Sequence, residues 1–138
     1  MSVVHHRHAT VAGREIFYRE AGPADAPVIV LLHGFPTSSF MFRNLIPELA
    51  DRYRVIAPDF LGFGYSDAPP VEEFDYTFDA LADHTAGLLT HLGVSRYAIY
   101  VQDYGAPVGW RNRSPPGIRA CRLQSPETFV SGFPIRWP

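Results

Sequence analysis

The 138-residue chain has very little cysteine and no long apolar segment. Its single cysteine, Cys121, excludes an intramolecular disulfide framework and a zinc site built from several cysteines. The longest uninterrupted apolar run, Val28–Leu32, has five residues, whereas a membrane span needs about 20. The N-terminal residues also lack the apolar stretch of a secretory signal. We therefore predict a soluble cytoplasmic protein with no membrane partner.

The chain also lacks an excess of charge of either sign. Twelve basic and 14 acidic side chains give a formal charge of −2, so the electrostatics do not favour nucleic acid as a partner. Hydrophobic residues make up 46% of the sequence and aromatic residues 14%, which is enough to bury a core. Eleven glycines and 13 prolines favour a fold with many tight turns over a helical bundle.

Extended segments begin the chain and recur along it. His5–Val11 and residues 14–20 flank Ala12-Gly13 and predict a hairpin at the edge of a sheet. Three later runs are rich in β-formers and do not alternate with polar residues, which is typical of strands covered on both faces of a parallel sheet. These runs are Val28–Leu32, residues 53–57 and residues 96–101.

Helical segments separate these strands. Residues 38–49 predict a first helix, begun at Ser38 or Ser39 and split into two turns by Pro47. Residues 78–92 place apolar side chains three and four positions apart, with Thr77 before them as a candidate N-cap. Alternating strands and helices predict an α/β fold, with a mostly parallel sheet and flanking helices.

Residues 112–138 differ in composition from the rest of the chain. They contain five prolines in 27 residues and show neither helical nor strand periodicity. We therefore divide the chain into residues 1–111, part of a folded domain, and residues 112–138, an aperiodic Pro/Arg-rich tail. A shift of reading frame in the gene would produce such a tail.

Three predicted strands end in loops of unusual composition, and ligand chemistry in open α/β sheets lies at the carboxyl ends of strands. The loops are His33-Gly34-Phe35-Pro36, residues 59–67 (DFLGFGYSD) and Gln102-Asp103-Tyr104-Gly105. In this order they resemble the N-terminal half of α/β-hydrolase-fold enzymes of the epoxide hydrolase and haloalkane dehalogenase group. Residues 1–111 would then be the front half of such a fold.

The resemblance implies that Asp103 lies on a nucleophile elbow, a sharp turn from strand to helix in which Gly105 lets the two elements approach. Asp103 would attack a carbon atom of an epoxide or alkyl halide and form an alkyl ester, which a histidine-activated water then hydrolyses. The implied partner is a small-molecule substrate (an epoxide, an alkyl halide or an ester). Neither a cofactor nor a metal is implied.

The resemblance also implies roles for the first loop. The backbone N–H groups of Phe35 and Tyr104 would form an oxyanion hole, while His33, Gly34 and Pro36 would be structural. Phe35 and Tyr104 occupy positions where dehalogenases often carry a polar residue and a tryptophan that bind halide, so epoxide chemistry is favoured. Val101 stands where the elbow usually has a small residue, which predicts an atypical turn.

The catalytic histidine, its acid partner and the cap domain of such enzymes come from their second half, which this sequence does not match. We expect the chain alone to lack full turnover. Strand 96–101 would also have an open hydrophobic edge, through which the chain could associate with itself.

Two other functions stay open. The chain could be a non-catalytic binding or assembly module that uses the open edge. Gly62-Phe63-Gly64 could belong to a nucleotide-binding loop, although Asp67 stands at the third glycine position and no helix is predicted to begin there.

The remaining polar candidates have simpler interpretations. Asp59 is expected to brace its loop through hydrogen bonds, and Ser66 to be a turn residue. The other histidines are expected to be solvated and not to ligate metal. They are His5, His6, His8, His84 and His91.

Overall fold

A mixed seven-stranded sheet is the centre of the molecule in the computed structural model, which describes residues 2–112 and the backbone of residues 120–122 and 129–131. Its strands follow the order β1-β2-β4-β3-β5-β7-β6. Their bounds are β1 His5–Val11, β2 Arg14–Ala21, β3 Val28–Leu32, β4 Arg54–Pro58, β5 Tyr97–Val101, β6 Ala120–Arg122 and β7 Phe129–Ser131. The fold class predicted from the sequence is confirmed.

The strands lie close to where the sequence predicts them. β1 and β2 form an antiparallel hairpin at one edge, and its turn places Ala12 and Gly13 at φ of 48° and 75°. β3 pairs in parallel with both β4 and β5, and its residues are almost all buried. A strand covered on both faces has no reason to alternate polar and apolar side chains, which explains its continuous apolar sequence.

The helices confirm the predicted positions with one correction. Residues 38–49 do break into two pieces, a 3₁₀ turn over Ser39–Phe42 and helix α1 over Leu45–Leu49, but the break precedes Pro47. Pro47 is the third residue of α1, where its missing N–H costs nothing because the first N–H groups of a helix have no partner within it. The prediction that Pro47 itself splits the segment is therefore wrong.

The longest helix of the described residues, α2, spans Phe78–His91 and begins as predicted. The Thr77 hydroxyl accepts a hydrogen bond from the Ala80 N–H, which caps the N-terminus. Gly93 follows the helix with φ of 70°. Helix α3 covers Gly105–Arg111. Within the described residues, no helix is long and apolar enough to cross a bilayer.

Apolar side chains fill both faces of the sheet. One core joins the sheet to α2 and α3, with Leu32, Ile56, Leu88 and Val108 fully or almost fully buried. The other lies beneath the 3₁₀ turn and α1, with Leu31, Ile46 and Val55 fully buried. The chain thus forms a three-layer arrangement of the described elements, in which the strand ends can carry functional loops.

The far edge of β5 differs from the expectation. The sequence predicts that this edge is open, but β7 pairs with it antiparallel, and β6 pairs in turn with β7. Two short strands therefore lie within residues 112–138, where no strand was predicted. Among the described strands, β1 and β6 form the outer edges of the sheet, and self-association of the chain stays a prediction. The predicted tail also includes the other residues of 113–138, which lie outside the described residues.

Candidate active site

Asp103 lies on a strained turn between β5 and α3. Its φ is 49°, in the left-handed region that a residue other than glycine adopts at a cost. Gly105, two residues later, is buried, and a Cβ atom on it would lie 2.2 Å from the backbone oxygen of Leu32. Only glycine therefore fits, and the turn has the form of a nucleophile elbow with an exposed carboxylate.

Val101 does not distort this turn. Its side chain is fully buried, and Gly109, one turn into α3, provides the space beside it. A Cβ atom on Gly109 would lie 2.9 Å from a methyl carbon of Val101. The expected departure from the usual elbow is thus offset by a glycine in the facing helix.

The loop after β3 lies directly against the elbow. The N–H of Phe35 donates a 2.9 Å hydrogen bond to Oδ1 of Asp103. Gly34 makes this approach possible, because a Cβ atom there would lie 2.6 Å from the Cβ atom of Asp103. The paired strands set the meeting point, since Leu32 and Val101 are register partners at the ends of β3 and β5.

His33 is fully buried and serves as a link between loops. Its Nδ1 lies 3.0 Å from the Gly34 oxygen, and its Nε2 accepts a 3.0 Å hydrogen bond from the Phe60 N–H. The accepting role of Nε2 makes the ring a neutral Nδ1–H tautomer. Burial lowers the pKa of His33 below its ordinary value of 6.5. Both ring nitrogens are thus engaged, as expected of a structural histidine.

The rest of the first loop is a compact turn. The backbone N–H and the hydroxyl of Thr37 both donate to the Gly34 oxygen, at 3.0 and 2.9 Å. Pro36 lies within this turn and follows a cis peptide bond. Gly34 and Pro36 therefore shape the loop, while Phe35 presents its N–H to Asp103.

Asp59 braces the second loop, as the sequence predicts. Its carboxylate is fully buried, and its Oδ1 accepts hydrogen bonds from the backbone N–H and the hydroxyl of Ser39. Oδ2 accepts a 2.9 Å hydrogen bond from the Tyr65 N–H. Gly64 has φ of 54°, and a Cβ atom there would overlap Oδ2. The carboxylate is saturated by these contacts and is not placed for chemistry.

Arg19 completes this buried cluster, and sequence reasoning missed it. Its guanidinium donates to the Ser39 hydroxyl and lies 3.9 Å from Oδ1 of Asp59. The Arg19 side chain is only 5% exposed, which is rare for arginine unless it is paired. The signal available in the sequence was an arginine directly after the apolar run Ile16-Phe17-Tyr18 of β2.

Ser66 does more than occupy a turn. Its hydroxyl donates a 2.7 Å hydrogen bond to the backbone oxygen of Asp59 and accepts a 2.9 Å hydrogen bond from the Phe17 N–H. The bridge is buried and ties β2 to the second loop. Backbone contacts of this kind have no sequence signature, which explains why the interpretation as a simple turn residue was incomplete.

The side chains of Phe35 and Tyr104 form an aromatic wall beside the elbow. Their ring centroids are 5.4 Å apart. Tyr104 also meets Phe78 at the start of α2, with centroids 5.2 Å apart and ring planes at 90°. Both residues border a cleft of about 890 Å³ whose lining is mainly apolar. The candidate nucleophile is thus flanked by hydrophobic surface.

The other histidines do not assemble a metal site. No cluster of three or more potential metal-binding side chains occurs among the residues that the structure describes. His8 pairs with Glu15, and both His6 and His8 pack their rings against Phe17. His84 is half-buried against Phe74, with its Nδ1 2.9 Å from the Ala80 oxygen, so its predicted full solvation is wrong.

The loop that contains Gly62 and Gly64 does not have the geometry of a dinucleotide site. Within residues 2–112, no helix begins directly after the loop, and the next helix along the chain begins at Phe78. The Gly62 N–H instead donates to the Asp67 oxygen, and a Cβ atom on Gly62 would meet the Tyr76 ring. The glycines serve turn geometry and close packing.

Comparison with known proteins agrees with the observed fold. Residues 27–130 match the family model of the alpha/beta hydrolase fold. The chain belongs to the α/β hydrolase family. The match continues beyond Arg111, after which the sequence analysis placed the boundary.

Individual relatives show which members of the family the chain is similar to. The chain is 49% identical over 134 residues to an uncharacterized hydrolase of Saccharomyces cerevisiae, covering 96% of this chain and 46% of the relative. It is 39% identical over 122 residues to a haloalkane dehalogenase of Mycolicibacterium paratuberculosis, covering 88% and 40%. The crystal structure of epoxide hydrolase A from Mycobacterium thermoresistibile superposes with a TM-score of 0.73 at 36% identity, covering 80% and 34%. The chain therefore spans less than half the length of each, and the predicted resemblance is confirmed.

Proposed function

We propose that this chain is the nucleophile-bearing half of a hydrolase that acts on epoxides through an ester on Asp103. The observation that supports this most directly is the hydrogen bond from the Phe35 N–H to Oδ1 of Asp103, at a residue held in the left-handed conformation. A helix-capping or turn aspartate would bond to its own backbone neighbours. Asp103 instead bonds to a loop from another strand.

The hydrogen bond assigns different roles to the two carboxylate oxygens. Oδ1 is held by Phe35, so Oδ2 attacks a carbon of the epoxide. The new bond joins Oδ2 to carbon, the ring C–O bond breaks, and its electron pair stays on the epoxide oxygen, which takes a proton from solvent. A carboxylate is ionised near neutral pH and needs no base for this step.

Hydrolysis of the resulting ester places negative charge on Oδ1. A water molecule gives one proton to a base and adds to the ester carbonyl carbon, and the carbonyl oxygen becomes an oxyanion. Collapse of this intermediate breaks the bond between the carbonyl carbon and Oδ2, and Oδ2 leaves with the diol product as it takes up a proton. The Phe35 N–H already lies at hydrogen-bond distance from Oδ1, and the Tyr104 N–H is the second proposed donor. Loss of one such donor typically lowers the rate by about 10²–10³.

Epoxide opening is favoured over release of halide by the residues beside the carboxylate. Phe35 and Tyr104 contribute a hydrocarbon ring and a phenol, and their rings pack against each other. Neither side chain offers the polar N–H expected in a halide site.

The proposed chemistry requires no cofactor. A cytoplasmic location and the absence of a nucleic-acid partner stay predictions.

The chain alone should stop at the ester. Among the described histidines, His33 is the one next to the elbow loop, and both of its ring nitrogens are engaged. His33 therefore does not supply the base that would activate the water. We expect Asp103 to form the ester and the ester not to be hydrolysed.

Intact-mass spectrometry tests this proposal. Incubation with methyl glycidyl ether should add one molecule per chain, and peptide mapping should place it on Asp103. Asp103→Asn should abolish the adduct, whereas Asp83→Asn, which removes an exposed carboxylate outside the cleft, should retain it. An adduct that persists in Asp103→Asn, or no adduct on a chain shown to be folded by circular dichroism, would overturn the proposal.

A further inference from the structure

The cleft beside the elbow is walled by aromatic rings from several parts of the chain. Phe35 follows β3, Phe63 follows β4, Phe78 begins α2 and Tyr104 directly precedes α3. All four line the cleft with Tyr76. Its volume of about 890 Å³ lies within the range of about 300–1,000 Å³ that is usual for small-molecule sites.

The rings have the geometry that accepts a further ring. Phe35 and Phe63 meet edge to face, with planes at 89° and centroids 6.3 Å apart. Phe78 and Tyr104 also meet edge to face. Edge-to-face and offset arrangements are the favourable ones for aromatic pairs, with about 0.5–1.5 kcal/mol beyond the burial of area. An aryl group in the cleft can make the same contacts.

The charges in the lining cancel. Asp79 and Arg111 both line the cleft, and the guanidinium Nε of Arg111 donates to Oδ1 of Asp79. The same guanidinium donates through Nη1 to the Pro107 oxygen and lies over the Phe78 ring, 5.7 Å from its centroid. With its cation and anion already paired, the cleft selects an uncharged occupant.

Two hydroxyl groups of the cleft are also engaged within the chain. The Tyr76 hydroxyl donates to the Pro69 oxygen, and the Thr77 hydroxyl caps α2. The cleft therefore presents hydrocarbon and ring surface with few free hydrogen-bonding groups. A polar ligand would lose water there without compensation.

The cleft adjoins the proposed site of chemistry through two residues next to Asp103, which is not itself among the residues that line the cleft. Phe35 and Tyr104 line it with their rings, while Phe35 also holds Oδ1 of Asp103 through its N–H. We propose that the cleft binds a neutral aryl substituent of the substrate and thereby sets the substrate class as aryl-substituted epoxides. This proposal rests on the proposed function only for the identity of the reacting group.

Binding of unreactive diols tests the cleft independently of Asp103. Calorimetry on the full chain should show that 1-phenyl-1,2-ethanediol binds at least about tenfold more tightly than propane-1,2-diol. It should also bind more tightly than the equally bulky 1-cyclohexyl-1,2-ethanediol, because only the phenyl ring has a quadrupole. Equal affinities for the phenyl diol and either comparison diol would overturn the proposal.

A pair of exposed valines supplies a matched variant and control. Val71 lines the cleft and is 74% exposed, whereas Val3 lies outside it and is 68% exposed. Val71→Asp should weaken the phenyl diol about tenfold by placing a charge at the cleft, and Val3→Asp should leave its affinity unchanged. Both side chains are exposed, so neither variant should impair folding. An unchanged affinity in Val71→Asp would contradict the proposal.

The reaction itself supplies the second readout. Phenyl glycidyl ether and methyl glycidyl ether carry the same epoxide, so a faster adduct with the phenyl compound reports binding. Val71→Asp should remove this preference, whereas Val3→Asp should retain it. An adduct without a phenyl preference would refute the cleft proposal and leave the proposed function intact. Binding of the phenyl diol without any adduct would refute the proposed function and leave the cleft proposal intact.

Discussion

Phe35 and Asp103 are 68 positions apart in the sequence, yet the backbone N–H of one lies 2.9 Å from a carboxylate oxygen of the other. Two neighbouring parallel strands create this contact, because β3 and β5 end at the same level of the sheet. The contact uses a backbone donor, so the identity of residue 35 does not affect its presence. The site thus depends on the backbone of the turns that follow β3 and β5.

The left-handed conformation of Asp103 should make the elbow sensitive to the type of side chain. Asparagine tolerates positive φ and keeps an oxygen for the Phe35 N–H, so Asp103→Asn should leave stability nearly unchanged. A β-branched residue is strongly disfavoured there, and Asp103→Val should lower the free energy of unfolding by about 1–3 kcal/mol. Urea denaturation of both variants measures the difference. Equal stability would argue against a strained elbow.

Two glycines of α3 should respond differently to alanine. A Cβ atom on Gly105 would meet the backbone of Leu32 at 2.2 Å, whereas one on Gly109 would meet only side-chain methyl carbons at 2.9 Å or more. Gly105→Ala should destabilise the chain by more than about 2 kcal/mol because a strand must move. Gly109→Ala should cost less, since side-chain shifts relieve the contact and alanine favours helix by about 1 kcal/mol. Thermal unfolding of the pair gives the order, and the reverse order would contradict the close contact at Gly105.

The buried His33 should make stability decline in mild acid. Burial lowers the pKa of His33 in the folded chain below 6.5, so the unfolded chain binds the proton first as the pH falls. The free energy of unfolding should therefore be constant above about pH 7.5, decrease below about pH 6.5 and level off below the folded-state pKa.

Urea denaturation at about pH 7.5 and about pH 5.5 measures this loss. His33→Gln keeps an oxygen for the Phe60 N–H and should flatten the pH dependence. His91→Gln, at an exposed position, should retain it. A slope that survives in a folded His33→Gln chain would assign the effect to other groups.

Two of the carboxylates that pair with arginines, Asp59 and Asp79, should differ in importance. Asp59 and Arg19 are both almost completely buried, so Asp59→Ala leaves a buried cation without its partner and should cost about 3–5 kcal/mol. Asp79 is 78% exposed beside Arg111, and Asp79→Ala should cost at most about 1 kcal/mol. Chemical denaturation of both variants tests the order. A loss of unfolding free energy in Asp79→Ala as large as that in Asp59→Ala would contradict this order.

Strand positions and the elbow were predictable from the sequence because each depends on local signals. Continuous apolar runs indicated β3, β4 and β5, and Gly105 indicated a close approach after the strand. The functional assignment of Asp103 needed the resemblance of three loops as well, since an isolated aspartate after a strand is more often a cap. Its catalytic role stays a proposal.

The parts that sequence reasoning missed depend on contacts between distant segments. Arg19, Ser39 and Asp59 come from three elements, and no local pattern relates them. The cover of β5 by β7 was also missed, because a three-residue strand has too little periodicity to be recognised. The proposed break at Pro47 was wrong for a related reason, since the effect of proline depends on where the helix begins.

The register between Leu32 and Val101 has a consequence for how this family can diversify. Main-chain pairing sets the spacing of the two turns, so side chains at positions 35 and 104 can be exchanged without displacing the groups that act on substrate. New specificities become accessible by point substitution. An insertion of one residue in either strand would instead misalign the reacting groups at once.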